Sequence, residues 1–242
     1  MIPLVHITDL YHPPQDPDDH IDLATVVALS EYDLRSVILD VTQKFLVAAP
    51  DGFDITRDPG YVPVQQLSHI IGHAIPVAAG PRAPLSGPDD DAANRPRSEQ
   101  AGIQLLLNIL EESREPVVLS LVGSARVVTA ALNRAPELLH RKIRSLILNA
   151  GSTGGTKREW NVGLDAAAYI GLWRSGLPIH WFPCATEKSA FDPGHVGRCP
   201  ARAMAKAPAR QQESPVDGVA GNGGRAGSCP DCFRMAICAC SG

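Results

Sequence analysis

Residues 4–30 read LVHITDLYHPPQDPDDHIDLATVVALS, and this stretch decides the fold class. Residues 4–8 are apolar or β-branched around a single histidine, as expected of a strand covered on both faces. From 20 to 30 the apolar residues recur at helical spacing. Between them lies a turn rich in proline (Pro13, Pro14, Pro17) that cannot continue either element. A buried strand that turns into an amphipathic helix is the opening of a βαβ unit, the building block of a parallel sheet.

The pattern repeats outward from there. Residues 36–41, 75–79, 117–122, 143–148 and 179–182 are further short apolar runs, which with 4–8 predict six strands. Helical spacing at 62–72, 98–112, 125–134 and 164–175 places helices between them. The expectation is an α/β domain with a doubly wound, mostly parallel sheet over residues 1–188. Residues 81–96 (PRAPLSGPDDDAANRP) have no periodicity and read as a long loop of the kind that often serves as a lid.

Composition breaks near residue 189. The last 54 residues contain five of the six cysteines, 8 of the 21 glycines and no leucine, where about five leucines would be usual. Such a segment cannot bury enough apolar surface to offset its ordering entropy, so 189–242 is expected to be a tail of low structure. Its Ala/Arg/Gly/Pro character matches translation in a shifted reading frame. Cys229, Cys232, Cys238 and Cys240 resemble two zinc-binding pairs, but only five residues separate the pairs, against about 15 to 20 in familiar zinc ribbons. With a strand edge left uncovered beyond residue 182, self-association is expected.

The chain's net charge is −4, from 22 basic and 26 acidic side chains. The tail holds six bases and four acids, leaving −6 on residues 1–188. An acidic domain does not hold a nucleic-acid polymer or an anionic membrane surface. No run approaches the roughly 18 apolar residues of a membrane span, and the N-terminus lacks a basic segment ahead of an apolar one, so the chain reads as cytoplasmic.

Ligands of open α/β sheets bind beyond the carboxyl ends of the strands. After the first strand come Asp9, Asp16, Asp18, Asp19 and Asp22, five carboxylates in fourteen residues. Such crowding raises each group's pKa unless a cation or water relieves it, and oxygen donors favour Ca²⁺ or Mg²⁺. An alternative makes Asp19 a helix N-cap and Asp22 a first-turn acid, but it leaves Asp9, at the end of a buried strand, unexplained. His12 and His20 flank the turn and are the candidate proton donors. Glu159 and Asn161 set a carboxylate and an amide two residues apart, suited to sugar hydroxyls.

Other motifs fail on spacing. Neither register of the acidic turn has the glycine and glutamate of an EF-hand. The segment 151–157 misses the phosphate-loop spacing, and Ser124 lacks the second glycine of a nucleophile elbow and reads as a helix N-cap.

Taken together, Asp9, the run DDHIDLA at 18–24 and EWN at 159–161 resemble the nucleoside hydrolase family, the inosine-uridine-preferring N-ribohydrolases. Residues 117–136 are similar to that family's strand, Gly-Pro-Leu-Thr-Asn turn and helix, although the turn here is Gly123-Ser-Ala-Arg-Val. Residues 143–151 and 159–167 resemble its Met-Gly-Gly strand and its Glu-Phe-Asn segment, so the likeness runs from about residue 3 to 186. The resemblance implies Ca²⁺ held by Asp9, by Asp18 or Asp19, by Asp22 and by the carbonyl of Val122. It also implies ribose held by Glu159 and Asn161. A water activated by the metal and deprotonated by an aspartate (Asp9, Asp18 or Asp19) would attack the anomeric carbon of a ribonucleoside, as in purine and pyrimidine salvage. Two other readings stand beside it. One is a homologue that binds nucleoside or sugar without turnover. The other is a haloacid-dehalogenase-type phosphatase, which requires Asp-x-Asp-x-[Thr/Val], whereas residues 9–13 read DLYHP.

Overall fold

The structure, a computed structural model, describes residues 1–12, 17–42, 58–152 and 159–184. Six strands, β1 (Ile2–Thr8), β2 (Tyr32–Leu39), β3 (Val77–Ala79), β4 (Val117–Val122), β5 (Ile143–Ser152) and β6 (Ile179–Cys184), form one sheet in the order β3-β2-β1-β4-β5-β6, with every pairing parallel. This is the doubly wound α/β fold the sequence predicts, and each strand falls on one of the six apolar runs. Domain limits at 188/189 and the cysteine-rich tail lie outside the described residues, as does Asp16.

Strand periodicity sends alternate side chains to opposite faces. Val5, Ile7, Ile38, Leu119, Leu121, Leu146 and Leu148 pack against α3 (Ala101–Glu112), α4 (Arg126–Arg134), α5 (Pro136–Lys142) and α7 (Ala166–Arg174). Val37 and Leu39 face the other way, toward α1 (Asp18–Ala28) and α2 (Tyr61–Ile71), through Leu23 and Val64. Among the described residues, no helix is long and apolar enough to cross a membrane.

Three local expectations are corrected. Helix α5 is additional, and Pro136 at its first turn is its start signal. The helix expected at 164–175 is α7, and a short additional helix, α6 (Trp160–Leu164), precedes it, divided from it at Asp165, whose carboxylate accepts from Ala168 N. Residues 81–96 are irregular as expected but do not form a free lid. Asn133 donates to the carbonyls of Pro88 and Asp90, Arg134 to that of Asp91, and Leu85 N to Asp165. Gly171 lets α7 touch this strap: a Cβ there would lie 2.6 Å from the Pro88 carbonyl oxygen.

Candidate functional site

The carboxyl ends of β1, β2, β4 and β5 converge on one rim. Strand β1 ends at Thr8, and Asp9 continues it by donating its N–H to the Val122 carbonyl at 3.1 Å. The chain then turns sharply: His12 N donates back to Asp9 O at 2.7 Å, and Tyr11 takes a left-handed backbone, φ 69°. A non-glycine residue in that region stores strain and marks a turn fixed by its surroundings. Tyr11 also meets His20 edge-on, with ring centroids 4.9 Å apart.

Helix α1 begins with Asp18, so Asp19 is not its N-cap; the cap position is Pro17, with no side-chain bond. Asp19 is instead buried, at 7% exposure, and accepts from the Thr8 hydroxyl at 2.7 Å. Asp18 is half-buried and accepts from the Asp19 N–H. Burial first, then Asp19, Asp40 and Asp18, hold the Asp9 carboxyl well above the usual carboxylate range. Burial and then Asp19 push Asp22 up to about 7. Of the two aspartates that the sequence leaves open, Asp19 is the one acting on both Asp9 and Asp22.

That charge strain has a measurable sign. A carboxyl raised in the folded state binds its proton more tightly there than in the unfolded chain. Its contribution is therefore whole at low pH and is lost as pH rises from the ordinary value, 3.8, toward the folded one, about 7 for Asp22. In the presence of a chelator, Asp22→Asn should gain melting temperature relative to wild type progressively over this window, read by differential scanning fluorimetry. A constant offset between the two proteins at all pH values would place the strain elsewhere.

The structure adds a carboxylate to this rim. Asp40 follows β2, is 1% exposed, and accepts from both the backbone N–H and the hydroxyl of Ser124, the latter at 2.7 Å. Ser124 therefore caps no helix; α4 has no side-chain cap bond. Gly123 makes this approach possible, since a Cβ there would stand 2.9 Å from Asp40 Oδ2. Arg126, in the turn that departs from the resembled motif, is the largest fully buried side chain. Its guanidinium donates to the carbonyls of Val41, Pro81, Arg82 and Leu164, and lies 3.4 Å from Asp165 and 3.9 Å from Asp40. One cation thus ties the ends of β2 and β3 to α4 and α6.

On the β5 side, Glu159 accepts from Gly151 N at 2.7 Å and, as the N-cap of α6, from Asn161 N and Val162 N. Asn161 donates to the Asn149 carbonyl, and the side-chain oxygens of Asn161 and Asn149 are buried without a hydrogen-bond partner. Trp160 joins the two halves of the rim, its indole N–H donating to Asp9 Oδ2 at 3.3 Å across 151 residues of sequence. The Tyr169 hydroxyl, donating to Gly123 O, is raised by burial and then by Glu159, Asp40, Asp9 and Asp165, which places it among all four carboxylates.

His12 is buried with Nε2 2.7 Å from Asp58 Oδ2, and His20 keeps a buried Nδ1 without a partner. His6 pairs with Ser120 and is lowered to about 4 by burial, the neutral structural histidine its position in a strand implies. Asp40, Asp58, Arg126, Asp165 and Tyr169 were not singled out in the sequence. Only Asp40 carried a usable signal, a carboxylate at the end of a predicted strand.

Oxygen donors of this kind suit a hard cation, which would relieve the burial and repulsion that raise Asp9 and Asp22. Among the described residues, however, no three acidic, histidine or cysteine side chains form a ready-made metal cage. The donors fit Ca²⁺ in kind, with Asp9, Asp19, Asp22 and the Val122 carbonyl as candidates, and side-chain rotation would have to close them around it.

No family model matches the chain. A pyrimidine-specific ribonucleoside hydrolase of Enterobacter sp. (strain 638) is 34% identical over 125 residues, 43% of this chain and 40% of that protein. The enzyme of the same name from Citrobacter koseri is 27% identical over 183 residues, 67% of this chain and 55% of its own. The chain therefore spans about half the length of the curated relatives it matches. Among solved structures, the inosine-uridine preferring nucleoside hydrolase of Bacillus anthracis shares the fold with a TM-score of 0.55 at 16% identity, over 74% of this chain and 63% of that one.

Proposed function

We propose that the acidic rim binds a ribonucleoside and hydrolyses the N-glycosidic bond with the help of Ca²⁺, a reading supported by the likeness of the chain to ribonucleoside hydrolases. The observation that carries this reading is the Trp160–Asp9 hydrogen bond, which brings the Glu159–Asn161 pair to the aspartates of β1 and α1. Neither half alone has the parts for glycoside chemistry. Together they supply acceptors for sugar hydroxyls beside carboxylates able to take a proton.

Asp9, Asp19, Asp22 and the Val122 carbonyl would hold the cation, with Asp18 as the alternative to Asp19. When bound, the ion supplies positive charge that acidifies and orients water. Asp9 then serves as proton acceptor for the attacking water, its carboxylate oriented by the Trp160 N–H. Glu159 and Asn161 position ribose hydroxyls, and Asn161 has a buried oxygen left to accept from one. The negative charge of Asp9, Asp19 and Asp40 stabilises the oxocarbenium character that develops as the bond to the base breaks. His20, beside the turn, is the donor available to the departing base, since the Nε2 of His12 faces Asp58.

Calcium linkage tests the metal assignment without requiring turnover. Ca²⁺ should raise the wild-type melting temperature, by about 2–3 kcal/mol of stability at a hundredfold excess over Kd. The shift should shrink to near zero in Asp9→Ala, and equal shifts in both proteins would refute the assignment.

A second reading, binding without turnover, is favoured by Arg126, which puts a fixed cation against Asp40 and Asp165 in a turn that differs from the family's. Chromatographic detection of free uracil or hypoxanthine from uridine or inosine distinguishes the two. Calorimetric binding with no released base would establish the second.

A further inference from the structure

The contact between His12 and Asp58 is not used by the reaction outlined above. His12 is 3% exposed and the Asp58 side chain 0%, and the 2.7 Å bond between them spans 46 residues of sequence. Asp58 is itself held in place. Its Oδ1 accepts from Gly60 N at 2.8 Å, and a Cβ on Gly60 would lie 2.9 Å from that oxygen and 3.2 Å from the Leu10 carbonyl. Only glycine lets the α2 entry turn close against both the carboxylate and the β1 turn. On the other side, His12 is anchored through its N–H to Asp9 O and by the strained turn at Tyr11.

A carboxylate offers only acceptors, so the imidazole nitrogen facing it must carry hydrogen; in neutral imidazole the lone pair then resides on Nδ1. That Nδ1 is buried and has no hydrogen-bond partner. An unsatisfied buried acceptor is costly and calls for an explanation where it persists. The residue that carries it is bonded through its backbone N–H to the carbonyl of Asp9, at the rim where the sugar is proposed to bind. A sugar is rich in hydroxyl donors, the complement this nitrogen needs.

We infer that Asp58 is a positioning residue that locks His12 in the Nε2–H tautomer, so that Nδ1 offers a buried lone pair to a hydroxyl group of the bound sugar. The inference rests on the ribonucleoside reading for the identity of the ligand, but the tautomer does not depend on it.

Nitrogen-15 NMR of the full chain labelled at histidine, with the His12 signals assigned by their loss in His12→Gln, tests both parts. The expected free-state spectrum has a pyrrole-type Nε2 and a pyridine-type Nδ1 for His12. Adding D-ribose should move the Nδ1 signal and leave Nε2 in place. In Asp58→Asn, whose amide can face the ring with either atom, the two tautomers should mix and ribose affinity should weaken by about tenfold. A pyrrole-type Nδ1 in the wild type would overturn the inference by itself, even if Asp58→Asn failed to fold. Ribose that perturbs the Asn161 amide but not His12 Nδ1 would also overturn it, leaving an ordered water as that atom's partner and the proposed function intact. Ribose that perturbs neither would overturn the ribonucleoside reading and the ligand half of the inference together.

Discussion

Replacing Arg126 with methionine should cost the fold about 3–5 kcal/mol, the usual consequence of removing one member of a buried ionic network. The guanidinium compensates Asp165 and Asp40 while donating to four backbone carbonyls. Methionine fills much of the volume but restores none of these bonds, so buried carboxylates and carbonyls lose their partner at once. Arg126→Lys should recover only part, because a single ammonium cannot reach around a planar fork of acceptors. Urea denaturation measures the difference directly. A change below about 1 kcal/mol, within what ordinary substitutions produce, would mean that water replaces the guanidinium and that the rim is wetter than the structure indicates.

Asp9→Asn should lower kcat for 4-nitrophenyl riboside by at least about 10²-fold, the lower range for loss of a positioned general base, while KM changes little. The amide keeps the shape of the side chain and can still accept from Trp160, so the ribose contacts proposed for Glu159 and Asn161 should survive. It cannot take a proton from water, and it weakens any cation held beside Asp19 and Asp22. A variant that kept more than about a third of wild-type kcat, far from the loss expected of a missing base, would transfer the role of base to Asp18 or Asp19. A large rise in KM alone would make Asp9 a binding group instead.

Much of this architecture was legible in the sequence because parallel strands covered on both faces are written as unbroken apolar runs, and the runs at 4–8, 117–122 and 143–148 leave little choice. Helix α5 was not legible: seven residues starting at proline are too few to display a helical period. The break at Asp165 was hidden for a different reason, since apolar spacing continues through it and only the carboxylate's bonds to Leu85 and Ala168 reveal two helices. Asp9, Asp19 and Asp22 stood out because they are crowded along the chain. Asp58, Asp165 and Arg126 did not, because each meets its main partners only in space, 38 to 85 residues away. A lone arginine in an otherwise ordinary helix start reads as a solvated charge until the tertiary structure closes over it.

The strand order has a consequence for how the protein is made. Strand β1 lies between β2, which follows it closely, and β4, more than a hundred residues later; His6 and Ser120, bonded across that pair, are 114 residues apart. On a ribosome adding about 5–20 residues per second, the β4-facing edge of β1 waits on the order of 10 s for its partner to be synthesised. Pairings of such long range also fold slowly once complete. Throughout that interval the apolar Ile2–Thr8 segment presents an open edge to neighbouring nascent chains. The strand at the centre of the finished sheet is therefore the one most vulnerable to mispairing during translation, and a circular permutant that places β4 next to β1 in sequence should fold faster than the natural order.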